Sequence, residues 1–303
     1  MSEYHTPVLL EESISFLVTN PEGIYADATF GGGGHTALLL SRLLDGGRVI
    51  AFDRDIDAIE NGLKDPRLTL VHNNFRFIEN YAVHEFGKSR VFDGVLADLG
   101  VSSHQFDTPG RGFSFRFEEA PLDMRMGQEA QLTAADVVNT YPEERLVSIL
   151  SLYGEVENSR QIARLIKAAG EIHTTGDLDR AIAKAIPQNL AHKILAKIYQ
   201  ALRIEVNGEM RSLEKFLEGT AATIKPGGRL AVISYHSLED RMVKNFIRTG
   251  RIDGVETKDI YGRVSTPWEA VTRKPVLPSE SEIAGNTRAR SAKLRVAERR
   301  ADA

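Results

Sequence analysis

The chain has no cysteine among its 303 residues. Disulfides, thiolate zinc sites, iron–sulfur clusters and a cysteine nucleophile are therefore excluded, and the absence fits a reducing cytosol. It also lacks a long apolar run. The cluster around Ala37 to Leu44 is broken by Ser41 and Arg42, whereas a helix crossing a bilayer needs ~20 apolar residues in succession. The first residues, MSEYHTPVLLEESISFLVTN, carry acids early and no basic segment, which predicts no secretory leader. Nor is there an excess of positive charge. The formal net charge is −4, so a nucleic-acid partner would have to be held by local basic patches. What is present is the balance of an ordinary globular protein, 42% hydrophobic and 26% charged, long enough for one large or two ordinary domains.

The first third alternates strand-like and helix-like segments. Ile24–Thr29, Arg48–Asp53, Leu68–His72 and Phe92–Asp98 read as strands, with helices at His35–Leu44 and Asp57–Leu63. That rhythm predicts an α/β fold built on a parallel sheet, with ligands bound beyond the carboxyl ends of the strands. From Gly110 to Asn207 the pattern is helical, with Glu143–Ala169 interrupted near Gly154, Asp177 as the cap of a helix stopping at Pro187, then Ala191–Leu202 and Glu209–Ile224. Strand character returns at Gly228–Tyr235 after a Lys-Pro-Gly-Gly turn. Ser237–Arg248 reads as an amphipathic helix with Ser237 as its cap and Asp240 as the capping-box acid. Residues 263–287, with three prolines, read as loop, and Ala292–Ala297 as a last strand. The expected architecture is one α/β domain, residues 1–109 and 208–303, interrupted by an all-helical insertion over 110–207.

The candidate chemistry starts at Asp27-Ala28-Thr29-Phe30-Gly31-Gly32-Gly33-Gly34-His35, between a strand and a helix. Glycines there let backbone approach a ligand closely. Gly32, Gly34 and Ala37 match the dinucleotide fingerprint, and Asp53 lies 19 residues past Gly34, where a ribose-binding acid belongs. Two ligand classes use this geometry, nicotinamide-type dinucleotides and S-adenosylmethionine. Asp27 favours the second, because a pyrophosphate beside it would be repelled while an ammonium and a sulfonium would be attracted. Asp53 can accept two hydrogen bonds from a ribose diol; its neighbour Asp55 is placed to cap the next helix. Phe75 is placed to pack on an adenine, with Phe77 as competitor and core packing as the alternative. Asp98, ending the fourth strand, can hold the amino-acid part of the cofactor or accept from a substrate amine, unless it only caps the next turn. Gln105 can serve either ligand through its amide.

At these residues the chain strongly resembles the bacterial RsmH (MraW) family of small-subunit ribosomal RNA cytosine-N4 methyltransferases. The matching stretches run from His5-Thr6-Pro7-Val8-Leu9-Leu10 through Asp27–His35, Phe52–Ala58, Asp98–Gln105, Arg111-Gly112-Phe113-Ser114-Phe115, Asp123-Met124-Arg125-Met126, Arg203–Asn207 and Gly228–Val243 to Arg288–Arg295. Two positions depart from the family pattern: Tyr235 stands in place of phenylalanine, and His104 in place of proline. The resemblance implies a class I (Rossmann-like) S-adenosylmethionine-dependent methyltransferase sheet with an inserted helical substrate domain, acting in the cytoplasm. It implies S-adenosylmethionine as methyl donor and, as acceptor, a decoding-region cytosine of 16S rRNA in the small ribosomal subunit. It assigns cofactor contacts to Gly33, Gly34, His35, Asp53, Phe75, Asp98 and Gln105. No metal and no membrane partner are expected; a homodimer is compatible with the sequence.

For catalysis the candidates are Asp98, to hold the amine, and His236, to orient the base or relay a proton; a satisfied structural histidine competes for the latter. Asn207 is a further residue that could reach the cleft. For RNA, Arg111, Arg116 and Arg125 interleave with Phe113, Phe115 and Phe117, a combination suited to phosphate binding and base stacking. A packed hinge between domains would use the same residues. Arg288 and Arg290 open a tail, Arg288–Arg300, holding six basic residues against one acid, suited to phosphate contact or to plain solvation.

Overall fold

The computed structural model describes residues 7–60, 62–258, 262 and 264–301. His5 and Thr6 of the first matching stretch, Asn61 of the expected 57–63 helix and Arg263 of the expected loop lie outside them. The chain groups into two compact units, one formed by Met1–Gly100 with Arg211–Ala303, the other by Val101–Met210.

The first unit is built on seven strands: β1 (Ile24–Asp27), β2 (Arg48–Asp53), β3 (Leu68–His72), β4 (Phe92–Asp98), β5 (Ile224–Ser234), β6 (Trp268–Ala270) and β7 (Lys293–Arg299). They form one sheet in the order β3-β2-β1-β4-β5-β7-β6. β1 to β5 pair parallel, and β7 pairs antiparallel with both β5 and β6. This is the class I methyltransferase arrangement, an α/β sheet closed by an antiparallel strand slotted beside β5. Its helices are α1 (Leu10–Leu17), α2 (Gly34–Arg42), α3 (Ile56–Glu60) and α4 (Ile78–Phe86) in the first segment. β1 and β2 are short apolar runs because strands of a parallel sheet are buried on both faces; Tyr25, Ala26, Ile50 and Phe52 are fully buried. Leu9 just before α1, Ile14 and Leu17 of α1 and Leu39 of α2 complete that core with Leu294 and Val296 of β7. Each such side chain is worth ~1.5–3 kcal/mol in apolar burial.

The helical unit contains α5 (Ser103–Asp107), α6 (Ala134–Thr140), α7 (Glu143–Leu152), α8 (Ser159–Ala168), α9 (Thr175–Ile182) and α10 (Ala191–Asn207). Its own core gathers Leu122, Met124, Val137, Leu146, Ile149, Ile162, Ile166, Leu178 and Leu202. The chain continues through α11 (Glu209–Thr223) into β5, and α12 (Ser237–Thr249) and α13 (Glu280–Gly285) follow.

Three local expectations need correction. Asp177 is not the cap of α9: Thr174 is, with Asp177 at the third helical position closing a capping box. Likewise α12 is capped by His236, whose ring accepts from the amide of Glu239, and Ser237 is the first helical residue. Asp240 instead binds Arg295 at 2.6 Å and Lys293 at 3.4 Å. Finally, residues 263–287 are not all loop. They contain β6, anchored by the 1%-exposed Trp268, and α13; a three-residue strand and a six-residue helix among prolines carry too few periods to be read.

Candidate active site

In the first unit the strand order reverses between β1 and β4, since β2 and β3 lie on one side of β1 and β4 and β5 on the other. Loops leaving neighbouring strands there part in opposite directions and open a crevice at the carboxyl edge. The strands deliver three carboxylates to that edge: Asp27 at the end of β1, Asp53 at the end of β2 and Asp98 at the end of β4.

Asp27 is completely buried and committed to the scaffold. Its Oδ2 accepts from the Thr36 hydroxyl at 2.7 Å and its Oδ1 from the Thr29 amide at 3.0 Å. Thr29 in turn accepts from the amide of Asp98 at 2.6 Å, tying the ends of β1 and β4 together. Between them runs the glycine loop. Gly33, the residue preceding α2, has φ +76°, and a Cβ there would lie 2.8 Å from the Phe30 ring. A Cβ on Gly34 would lie 2.2 Å from Pro7 Cγ. Both glycines are thus required by the loop's own packing.

Asp53 accepts two backbone hydrogen bonds, from Gly31 and from Asp55, each 2.8 Å. Burial raises its pKa, and these two amides oppose the rise. Asp55 Oδ1 accepts from the Asp57 amide at 3.3 Å at the start of α3, as a capping residue does. Phe75, half-buried, opens a single helical turn after β3 that is capped by Asn74, and its ring meets that of Phe216 edge to face at 5.2 Å. The competing Phe77 lies under its neighbour's guanidinium, 4.5 Å from Arg76.

Asp98 differs from the other two carboxylates. Its Oδ1 accepts from the Tyr235 hydroxyl at 2.7 Å, and its Oδ2 lies 3.8 Å from Nδ1 of His35. His35 is 5% exposed and holds the Val8 carbonyl at 3.1 Å through Nε2. A carbonyl only accepts, so Nε2 carries a proton, and Nδ1 is the nitrogen that faces Asp98. Burial pushes the Asp98 carboxyl up to about 6; His35 and Tyr235 pull it back, while Asp27 and Glu239 push it further. A carboxylate raised by desolvation beside like charges is poised to receive a cation.

His236 follows β5. Its Nδ1 accepts from the Glu239 amide at 3.4 Å, which leaves the proton on Nε2, 3.2 Å from Glu239 Oε1. The buried Glu239 also accepts from the amides of Tyr235 at 2.9 Å and His236 at 3.3 Å. Tyr235, Glu239 and Thr29 were not singled out for the site from sequence. The spacing His236-x-x-Glu239 is a capping-box pattern, and that signal was available; nothing marked the tyrosine except its replacement of phenylalanine.

The remaining expected site residues lie in the helical unit or near the C-terminus. Gln105 is buried, and its amide oxygen accepts from the Ser102 amide at 3.3 Å in the capping box that opens α5. Arg111 is 8% exposed and binds the carbonyls of Met126 at 2.9 Å and Arg125 at 3.2 Å. Arg125 is paired with Asp123 through two bonds of 2.8 and 2.7 Å. Phe113 is part of the helical core, and Phe115 packs against it with its ring 5.3 Å from Tyr199. Asn207 is buried, joining the Met126 amide and the Met124 carbonyl. Arg116 is exposed, its guanidinium 5.6 Å from the Phe106 ring centroid. Arg288 is half-buried and Arg290 exposed. Among the described residues no helix is long and apolar enough to cross a membrane.

A family model described as the MraW methylase family matches residues 2–300. A Bacteroides fragilis protein named ribosomal RNA small subunit methyltransferase H is 52% identical over 301 residues, covering 98% of each chain. A protein of the same name from Flavobacterium johnsoniae is 50% identical over 300 residues, again covering 98% of each. Among solved structures, an rRNA methylase from Streptococcus thermophilus aligns with a TM-score of 0.37 at 13% identity, covering 95% of this chain and 92% of that one.

Proposed function

The chain belongs to the MraW methylase family, and from that premise we propose that it methylates the exocyclic N4 amine of a cytosine in the decoding region of 16S rRNA, in the cytoplasm and on the small ribosomal subunit. The single observation that carries this reading is the near-full-length identity to proteins named ribosomal RNA small subunit methyltransferase H. S-adenosylmethionine is the methyl donor of such an enzyme. The carboxyl edge of the sheet fits it, since it offers a bare glycine backbone and carboxylates, of which Asp98 is desolvated and partnered on one side only by a distant histidine.

When bound, the donor supplies a methyl group on a positively charged sulfur. Cytosine N4 is a weak nucleophile because its lone pair is delocalised into the ring, so the protein's task is alignment. Holding two reactants in line can contribute ~7–11 kcal/mol. Gly33, Gly34 and His35 border the donor, Asp53 accepts from its ribose hydroxyls, and Phe75 packs on its base. Asp98 accepts a hydrogen bond from the substrate amine or holds the donor's ammonium. It is ionised above about pH 6 and needs no stronger base, because the N–H proton leaves after the N–CH3 bond has formed. His236, following β5 beside Glu239, serves to orient the base. Arg116 and Arg290 are exposed cations suited to phosphate contact; Arg111, Phe113 and Arg125 have the inward partners described above. The target base must be unpaired or flipped, at a cost of a few kcal/mol.

The test is mass mapping of 16S rRNA from cells lacking this gene, before and after complementation. An N4-methylcytidine lost on deletion and restored on complementation supports the reading. An unchanged methylation map, or loss of a methyl group on a different base, refutes it.

A further inference from the structure

We infer that Tyr235 is a positioning residue for this reaction: its hydroxyl holds one oxygen of Asp98, so that the other is aimed at the ligand and the side chain is kept ionised. This rests on the reading of the carboxyl edge as the S-adenosylmethionine site.

The geometry is specific. Tyr235 donates to Asp98 Oδ1 at 2.7 Å, and among the described residues this is the hydrogen bond that reaches the Asp98 carboxylate. The ring is fixed on two sides. Its backbone amide is held by Glu239 Oε2 at 2.9 Å. The bare Cα of Gly100, at φ +107°, lies against the ring, where an added Cβ would come within 3.3 Å of Tyr235 Cδ2. Burial and the neighbouring Asp98 raise the phenol's pKa well above its ordinary value, so it remains a donor throughout the working range. The groups facing Asp98 are His35 from α2, Asp27 from β1, Glu239 from α12 and Tyr235 itself, with Glu282 of α13 near the tyrosine. Asp27 and Glu239 are carboxylates, which disfavour a further charge on Asp98. A phenylalanine here would fill the same space and leave Asp98 facing them without its donor. A hydrogen bond to the charged form lowers a carboxyl pKa, so removal of the hydroxyl raises it.

The experiment is calorimetric binding of S-adenosylmethionine to the full chain between pH 5.5 and 8.5, comparing wild type with Tyr235→Phe. In the wild type, affinity falls as pH drops through about 6, where Asp98 takes up its proton. In Tyr235→Phe the fall should occur about one pH unit higher, giving a ~5-fold loss near pH 6 that vanishes by pH 8.5. A packing role alone would weaken binding equally at every pH. In an Asp98→Asn background, Tyr235→Phe should add no pH-dependent loss. A second measurement needs no variant: the Asp98 carboxyl carbon, followed by NMR in the ligand-free wild type, should sense deuteration of the phenol. Curves that overlay, or that are displaced uniformly, overturn the inference. Failure of the wild type to bind S-adenosylmethionine at any pH overturns instead the reading of the site.

Discussion

At the carboxyl edge of the sheet, Asp98 keeps one oxygen on Tyr235 and leaves the other 3.8 Å from His35. In the helical unit, Arg125 spends its guanidinium on Asp123 and on the carbonyls of Gln128 and Ala130, and Arg111 lies 8% exposed on two more carbonyls. Both regions stood out in the sequence for charged residues beside aromatics or glycines. The difference lies in what the backbone dictates. A residue that ends a parallel strand at a switch point must emerge at the ligand edge, whatever its neighbours do. A residue in an irregular segment can turn inward, and an arginine that finds backbone carbonyls will hold a loop in place of a phosphate.

The sharpest way to break this comparison is Asp98→Ala. Loss of the acceptor should lower methyl transfer by about 10³-fold, with circular dichroism and thermal melting showing a folded protein. Turnover within a few-fold of wild type would remove Asp98 from the reaction and with it the claim that strand-end position predicts function here.

Next in size is Phe113→Ala. Phe113 is core, so truncation should cost about 3–5 kcal/mol in urea-induced unfolding of the helical unit, whereas Arg116→Ala, exposed with its guanidinium over the Phe106 ring, should stay within ~0.5 kcal/mol. Equal effects would erase the distinction between inward and outward members of the Arg111–Arg125 segment.

A third prediction uses the raised carboxyl of Asp98. Its pKa rises from 3.8 unfolded to about 6 folded, so the protonated form is favoured in the fold. That contribution is fully present below about pH 4 and is lost as pH rises through about 6. Asp98→Asn removes the charge and should therefore stabilise the ligand-free protein at pH 7.5 by about 1–3 kcal/mol, with the gain vanishing near pH 4. Melting temperatures across that range would show it, and a gain independent of pH would contradict the assignment. A residue that destabilises the fold at working pH yet is needed for turnover is what a cation-receiving site entails.

These contrasts also explain how much of the molecule could be read from the sequence. β2, β3 and β4 stand where expected because each carries a short apolar stretch and ends in a polar residue, and β1 ends two residues early only because Ala28 and Thr29 already belong to the loop. The three carboxylates followed from those ends. Hydrogen-bond direction did not. His236 as a helix cap, Gln105 inside a capping box and Arg111 on carbonyls depend on where loops close, and residue type leaves that open. β6 and α13 were missed because one tryptophan anchors a strand too short to alternate.

The smallest expected effect concerns the exposed cations. Arg116 and Arg290 lie on the surface, and each, if it meets a phosphate, contributes mainly through counterion release. Replacing either by alanine should weaken binding to small subunits by about two- to fivefold at low salt and reduce the slope of log affinity against log salt by about one. Arg125→Ala, by contrast, removes a loop brace. Its loss of affinity should not change that slope, because the guanidinium neutralises Asp123 and no phosphate. A filter-binding series at three salt concentrations separates the two behaviours. If Arg125→Ala flattens the slope as much as Arg116→Ala does, the Asp123 pair opens to receive RNA, and the loop-bracing arginine is a reserve phosphate contact after all.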